Sequence, residues 1–323
     1  MKKIIYFDWF QSATEFYRSS GVLQYINNPG LEITRSTVTN ISYATLAGYD
    51  TVILERPSSQ ESMNIVRLAK DMRIKVIVDY DDDILHLTQY NPMYETYKQQ
   101  MPSCVECLAL ADEVWVTTKS IVRSFSLYNK NIHVIPNAHN DYLFKLEDKK
   151  PFNVGVKLAM WRGGYSHEED VYDIGIPEML IDVINNNMDW TFKFIGQRFK
   201  YMEKRCGDNY VSQEGASTVQ FYKMIHKENP CIAFYPLADT VFNRAKSNIC
   251  FIEATYAGAA FFGNKALPEF SHDSILPFSE LRNGIEKYTR RSLQKANKLA
   301  WEHIQKHLLL SNINKLREKR LLA

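Results

Sequence analysis

No Gly-x-Gly-x-x-Gly follows the first strand of either half of this 323-residue chain, and FDWFQSATEF, at the end of the first strand, contains no glycine. A dinucleotide-dependent dehydrogenase needs those glycines for its tight turn and for close approach of backbone to pyrophosphate, so that class is set aside. No apolar run approaches the roughly twenty residues that span a bilayer. The start, MKKIIYFDWF, reads as a strand and not a leader, because polar Asp8 follows only a few apolar residues. Charge of one sign is not in excess: 39 Lys and Arg against 37 Asp and Glu leave +2, which gives no global field toward nucleic acid but leaves room for a local basic groove. The pair Cys104 and Cys107 has no second pair to complete a zinc site, and five cysteines on a long chain fit buried thiols in a reducing compartment. The expectation is a cytoplasmic, soluble protein without an integral membrane segment, metal or cofactor.

What is present is alternation. KIIYFD, LEITRST, DTVILERP, KVIVDYDDD, VWVTT and IHVIPNA read as short apolar strands. Between them lie helix-like segments: SATEFYRSSGVLQYINN, with Ser12 as N-cap and Glu15 completing a capping box, then SQESMNIVRLAKDMR, SCVECLALADE and KSIVRSFSLYN. Strands alternating with helices predict a parallel sheet covered on both faces, doubly wound because crossovers are right-handed. After the charged linker KLEDKKPFN the alternation restarts with NVGVKLAMWRGG, IPEMLIDVINNN, DWTFKFIG, STVQFYKMIHKEN, CIAFYPL, a helix over 242–258 and AAFFGN. From about residue 278 the chain reads as basic amphipathic helix. The prediction is α/β, with two Rossmann-like domains facing across a cleft: residues 1–147, residues 152–290, and C-terminal helices over 291–323 that brace back on the first domain. A membrane-facing role for those helices is the alternative.

Ligands of open parallel sheets bind beyond the carboxyl ends of the strands. In the first domain that rule selects Asp8, Glu55, Arg56, the acids Asp79 to Asp83, Thr117, Thr118 and Asn137. In the second it selects Arg162, Gly163, Gly164, Gly196, Pro236, Leu237 and the start of the 242–258 helix.

On that helix Asn243, Lys246, Cys250, Glu253 and Ala257 share one face. A helix N-terminus attracts phosphate, and Lys246 and Ser247 add a charge and a hydroxyl. Glu253, about 10 Å farther along at 1.5 Å per residue, would meet the vicinal hydroxyls of an attached ribose. A solvated face with an incidental Lys and Glu is the alternative. In MWRGGYSHEED the glycine pair permits close approach, Arg162 forks onto phosphate, Ser166 caps the next helix and His167 reaches the ligand. A turn alone would also explain the glycines.

With these residues a resemblance becomes specific. WRGGYSHEED and FNRAKSNICFIEATYAG resemble the donor loop and donor helix of GT-B glycosyltransferases near the retaining family 4, and VIVDYDDDI with NPMY is similar to the acceptor domain of bacterial and phage members. The resemblance implies transfer of a sugar from a nucleotide-diphosphate sugar to an acceptor hydroxyl, with retention and without metal. It implies Lys246, Arg162 and Asp82 as catalytic candidates. Donor binding falls to Gly163, Gly164, Ser166, His167, Gly196, Pro236, Leu237, Asn243, Ser247, Asn248 and Glu253. The acceptor side comprises Asp8, Tyr17, Arg18, Glu55, Arg56, Asp81, Asp83 and His86, although Tyr17 also reads as core and His86 as surface. The family's Glu-x7-Glu pair is half present: Glu253 matches the second position and Ala245 occupies the first. The acceptor stays open between a glycan, a protein, a lipid-linked sugar and a hydroxymethylated base of DNA. A sugar-phosphate epimerase or phosphorylase and a non-catalytic nucleotide-binding protein of the same fold are the other readings.

Overall fold

The computed structural model describes residues 1–8, 13–37, 41–163, 176–196 and 200–323. Among the described residues, twelve strands form two parallel six-stranded sheets. The first contains β1 (Lys2–Asp8), β2 (Leu31–Thr37), β3 (Thr51–Glu55), β4 (Lys75–Tyr80), β5 (Glu113–Val116) and β6 (Ile132–Val134). The second contains β7 (Leu158–Gly163), β8 (Thr191–Gly196), β9 (Tyr210–Gln213), β10 (Ile232–Tyr235), β11 (Ala260–Gly263) and β12 (Leu276–Pro277).

Successive side chains of a strand point to opposite faces, and both faces here are covered. Ile5, Phe7, Val52, Leu54, Val76 and Val78 pack under Gln60–Asp71 and Tyr94–Leu110. Ile4, Tyr6, Ile53, Ile77 and Trp115 pack on the other side with Leu310, Ile313 and Leu321 of the last helix, Leu310–Leu322. The preceding helix, Arg290–His307, sends Ala300 and Ile304 into a core of the second half with Phe251 and Phe261. The chain crosses between halves at 308–310, where Leu308 O accepts from His139 N and Leu310 N donates to His139 O, each at 2.8 Å. These pairings explain why the basic C-terminal stretch is two helices and not one.

Strand order decides where a ligand fits. The first sheet runs β2-β1-β3-β4-β5-β6, so winding reverses between β1 and β3. The second runs β12-β11-β10-β7-β8-β9, so it reverses between β7 and β10. At such switch points the loops diverge to opposite faces and leave a crevice.

Several local predictions change. The segment after β1 is two helices, Ala13–Arg18 and Ser20–Leu23. Buried Ser19 departs from helical geometry (φ −126°, ψ −82°) and donates to Asp8 Oδ2 at 2.5 Å. Its predicted N-cap, Ser12, lies outside the described residues. The helix around CVEC begins earlier, at Tyr94, and carries Pro102 inside it. The edge strands β9 and β12 and the helix Lys200–Cys206 were not foreseen, because pieces as short as YVSQ and LP show no periodicity.

Candidate active site

The two switch points meet. Tyr17, from the first helix after β1, donates its hydroxyl to Glu253 Oε1 at 2.7 Å and lies 3.4 Å from the Tyr222 hydroxyl. Arg162, the penultimate residue of β7, places NH1 3.0 Å from Glu253 Oε2 and donates from Nε to Cys250 Sγ at 3.2 Å. Its guanidinium lies over the Phe221 ring, 5.0 Å from the centroid. Glu253 is 1% exposed. Burial pushes its carboxyl above the ordinary value, while Arg162 and the Tyr17 hydrogen bond oppose that shift.

The predicted 242–258 helix is two helices, Val241–Arg244 and Ile249–Tyr256. The reason is tertiary. An unbroken helix needs the Ala245 carbonyl for the residue 249 amide. Here Ala245 O accepts from Thr118 Oγ1 of the first domain at 3.1 Å. Lys246 therefore stands in the turn before the second helix, and helical rise does not measure its separation from Glu253. Asn243 is 0% exposed and donates to Ala238 O, so it supports the turn instead of facing the cleft as predicted. Ser247 Oγ accepts from Asn137 Nδ2 at 3.0 Å, a second tie between domains. Asn248 is the N-cap residue of Ile249–Tyr256 and makes no side-chain cap bond.

Lys246 Nζ lies 3.0 Å from both carboxylate oxygens of Asp82. Arg56 continues the chain of charges, pairing with Asp81 and reaching Asp82 Oδ2 at 3.4 Å. Thr14 Oγ1 joins it, donating to Asp81 Oδ2 at 2.8 Å and accepting from Arg56 NH2 at 3.1 Å. Among the described residues, no group of three or more His, Cys, Asp or Glu side chains is arranged to hold a metal ion.

Other predicted residues sit elsewhere. Arg18 is fully buried in a pair with Asp79 (2.5 Å) and donates to Ile135 O at 2.6 Å, so it braces the floor of the first domain and does not reach the cleft as predicted. Asp8 is held by Arg35 at 2.6 Å. Asp83 is 1% exposed, accepts from Ser124 Oγ at 2.5 Å and faces His86 Nδ1 at 3.0 Å, which turns it inward. His86 is otherwise open to solvent. Gly196 has φ +127°, and a Cβ there would fall 2.1 Å from Gly163 O, so sheet packing alone demands glycine. Pro236 and Leu237 are buried, with Leu237 O bound by Asn264. Gly164, Ser166 and His167 lie outside the described residues. Sequence reasoning missed Thr14, Phe221 and Tyr222; the last two read as the apolar side of an amphipathic helix, with no local signal that they face Arg162 and Tyr17.

No family model matches the sequence, and no curated protein matches it. Solved structures match its fold. Anabaena HepE in complex with UDP superposes with TM-score 0.69 at 11% identity, over 99% of each chain. An alpha-glucosyltransferase in complex with UDP and a 13-mer DNA gives TM-score 0.66 at 11% identity, over 100% of this chain and 99% of that one. The pneumococcal O-GlcNAc transferase GtfA, in complex with UDP and GlcNAc, gives 0.56 at 13% identity over 84% of this chain and 56% of that one. The chain therefore has the GT-B fold, with two Rossmann-like domains facing across a cleft.

Proposed function

We propose that this chain is a glycosyltransferase that moves a sugar from a UDP-sugar to an acceptor hydroxyl. The observation that carries the reading is two ion pairs at the strand ends, Arg162 with Glu253 and Lys246 with Asp82, with Cys250 feeling the charge of both cations, on a fold of which two solved neighbours hold UDP. Each charged group has a protein partner: Arg162 has Glu253, and Lys246 has Asp82. A diphosphate would take over from Asp82 as the partner of Lys246 and would share Arg162. Its remaining charge would face the amide end of Ile249–Tyr256. Glu253 would accept from the ribose hydroxyls in place of Tyr17.

Transfer breaks the bond from the anomeric carbon to the diphosphate oxygen, which leaves with the electron pair. It forms a bond from the same carbon to the acceptor oxygen, whose proton passes to the departing diphosphate. Arg162 and Lys246 stabilise the charge that develops on the leaving oxygen, so this reading requires no metal ion. Front-face attack gives retention. Ala245 leaves no carboxylate at the family's first Glu position, and Asp82 is the acid nearest to Lys246 that could approach the sugar. The acceptor is a glycan, or alternatively a hydroxymethylated base of DNA. Five free cysteines suit a cytoplasmic setting.

The test is calorimetric titration of UDP, followed by transfer from UDP-glucose and UDP-N-acetylglucosamine to a mixed acceptor panel. Binding of UDP that Lys246→Ala weakens supports the assignment. Failure of UDP and of every UDP-sugar to bind would remove it.

A further inference from the structure

Beside the β1/β3 switch point lies a hollow between the strand ends and the helix Tyr94–Leu110, lined in part by Thr14, Glu55, Ser58, Ser59, Tyr97 and Gln100. At the carboxyl end of β3, Glu55 is 3% exposed, and its Oε2 is buried without a hydrogen-bond partner. A buried polar atom without a partner is rare enough to require an explanation. The neighbouring charges do not supply one. The Arg56 guanidinium is turned to Asp81, Asp82 and Thr14, so among the described residues no cation makes a hydrogen bond to Glu55. The rest of the described lining is hydroxyl and amide groups with the Met93 side chain and a second acid, Glu61. Ser58 Oγ donates to Gln100 Oε1 at 2.8 Å, which leaves the Gln100 amide N–H pair for another acceptor. Tyr97 adds a half-buried ring.

We propose that this hollow is the acceptor subsite, that it takes an uncharged, hydroxyl-rich ligand (a glycan), and that the Glu55 carboxyl hydrogen-bonds one of its hydroxyls. The proposal rests on the glycosyltransferase reading and names the acceptor class for it. A nucleic acid backbone needs cations in its groove. Among the described lining residues the one cation, Arg56, is already spent on two carboxylates, and Glu61 adds a further acid. A sugar hydroxyl both donates and accepts, and a carboxylic acid that keeps its proton does the same. Burial, with Asp81, Asp79 and Asp8 nearby and only Arg56 opposing, pushes the Glu55 carboxyl up to about 9. The Arg56–Asp81–Asp82–Lys246 chain joins the hollow to the donor side, so acceptor and donor would lie along one line of charge.

The experiment uses the full chain, a panel of neutral oligosaccharides and a duplex containing 5-hydroxymethylcytosine. Binding is measured without nucleotide, transfer with UDP-sugar, and UDP affinity separately. Neutral oligosaccharides should bind and accept sugar. Glu55→Ala should raise the acceptor KM about tenfold, the worth of one good buried hydrogen bond, with UDP affinity unchanged. Glu55→Gln, neutral and of the same shape, should stay within roughly threefold of wild type by the same measure. Thr96→Trp, an exposed position on the hollow's wall, should block acceptors without touching the core. Use of the duplex with no oligosaccharide bound would overturn the proposal, as would wild-type acceptor KM in both Glu55→Ala and Thr96→Trp. Loss of UDP binding alone would overturn the donor reading, while nucleotide-free oligosaccharide binding still decides the hollow.

Discussion

Replacing Tyr17 by Phe keeps the ring, which packs edge-on against Phe16 with centroids 5.1 Å apart, and removes the hydroxyl that donates to Glu253 at 2.7 Å. A hydrogen bond to a charged group contributes about 1.5–3 kcal/mol net. The Tyr222 hydroxyl is 3.4 Å from the lost oxygen and offers part of a replacement, so the lower end applies. At roughly 1.5 °C per kcal/mol for a chain of this length, the melting temperature should fall by about 2 °C. The sign of the effect on nucleotide binding is the sharper outcome. If ribose hydroxyls take Glu253, wild type must give up the Tyr17 bond to bind, whereas Tyr17→Phe has nothing to give up. The energy lost from folding then returns as affinity, and UDP should bind up to about tenfold more tightly. The assay is calorimetric titration of UDP alongside a thermal melt of the apo protein. A variant that melts lower yet binds UDP with unchanged or weakened affinity would show that Tyr17 is not displaced and that Glu253 does not receive the ribose.

Glu253→Gln breaks the buried pair with Arg162 while keeping an acceptor for Tyr17; it should cost about 3 kcal/mol in a denaturant melt and weaken UDP at least about tenfold by titration. Lys246→Ala should lower turnover of a UDP-sugar by about 100-fold or more through the leaving diphosphate, with a smaller change in UDP affinity. Asp82→Asn releases Lys246 from its carboxylate and should leave UDP affinity equal or tighter; a tenfold loss would place Asp82 on the nucleotide. Glu55 contributes a pH dependence of its own: its carboxyl keeps its proton in the fold up to about 9 and loses it near 4.5 once unfolded, so the folded state binds the extra proton between those values. The Glu55 share of stability should therefore fall as pH rises through that window, and Glu55→Gln should gain on wild type by about 1 kcal/mol per pH unit between pH 5 and 8 in parallel denaturant melts. A constant difference across that range would mean that Glu55 is ionised in the fold.

Order and type of element were legible in the sequence because apolar runs such as KVIVD and DTVILE are buried on both faces and bounded by polar turns, a local signal that needs no partner to be read. The strand-end rule then follows from chain direction, and it placed Arg162, Asp82, Glu55 and Arg56 on the rims before any contact was known. What the chain alone could not settle was which partner each polar group would choose. Thr118 takes the Ala245 carbonyl and so breaks a helix whose pattern was continuous. Tyr17 crosses to Glu253, while its neighbour Arg18 turns to Asp79. Those choices are made between residues 61 to 236 positions apart, and their energies depend on burial that exists only once two sheets have closed on each other.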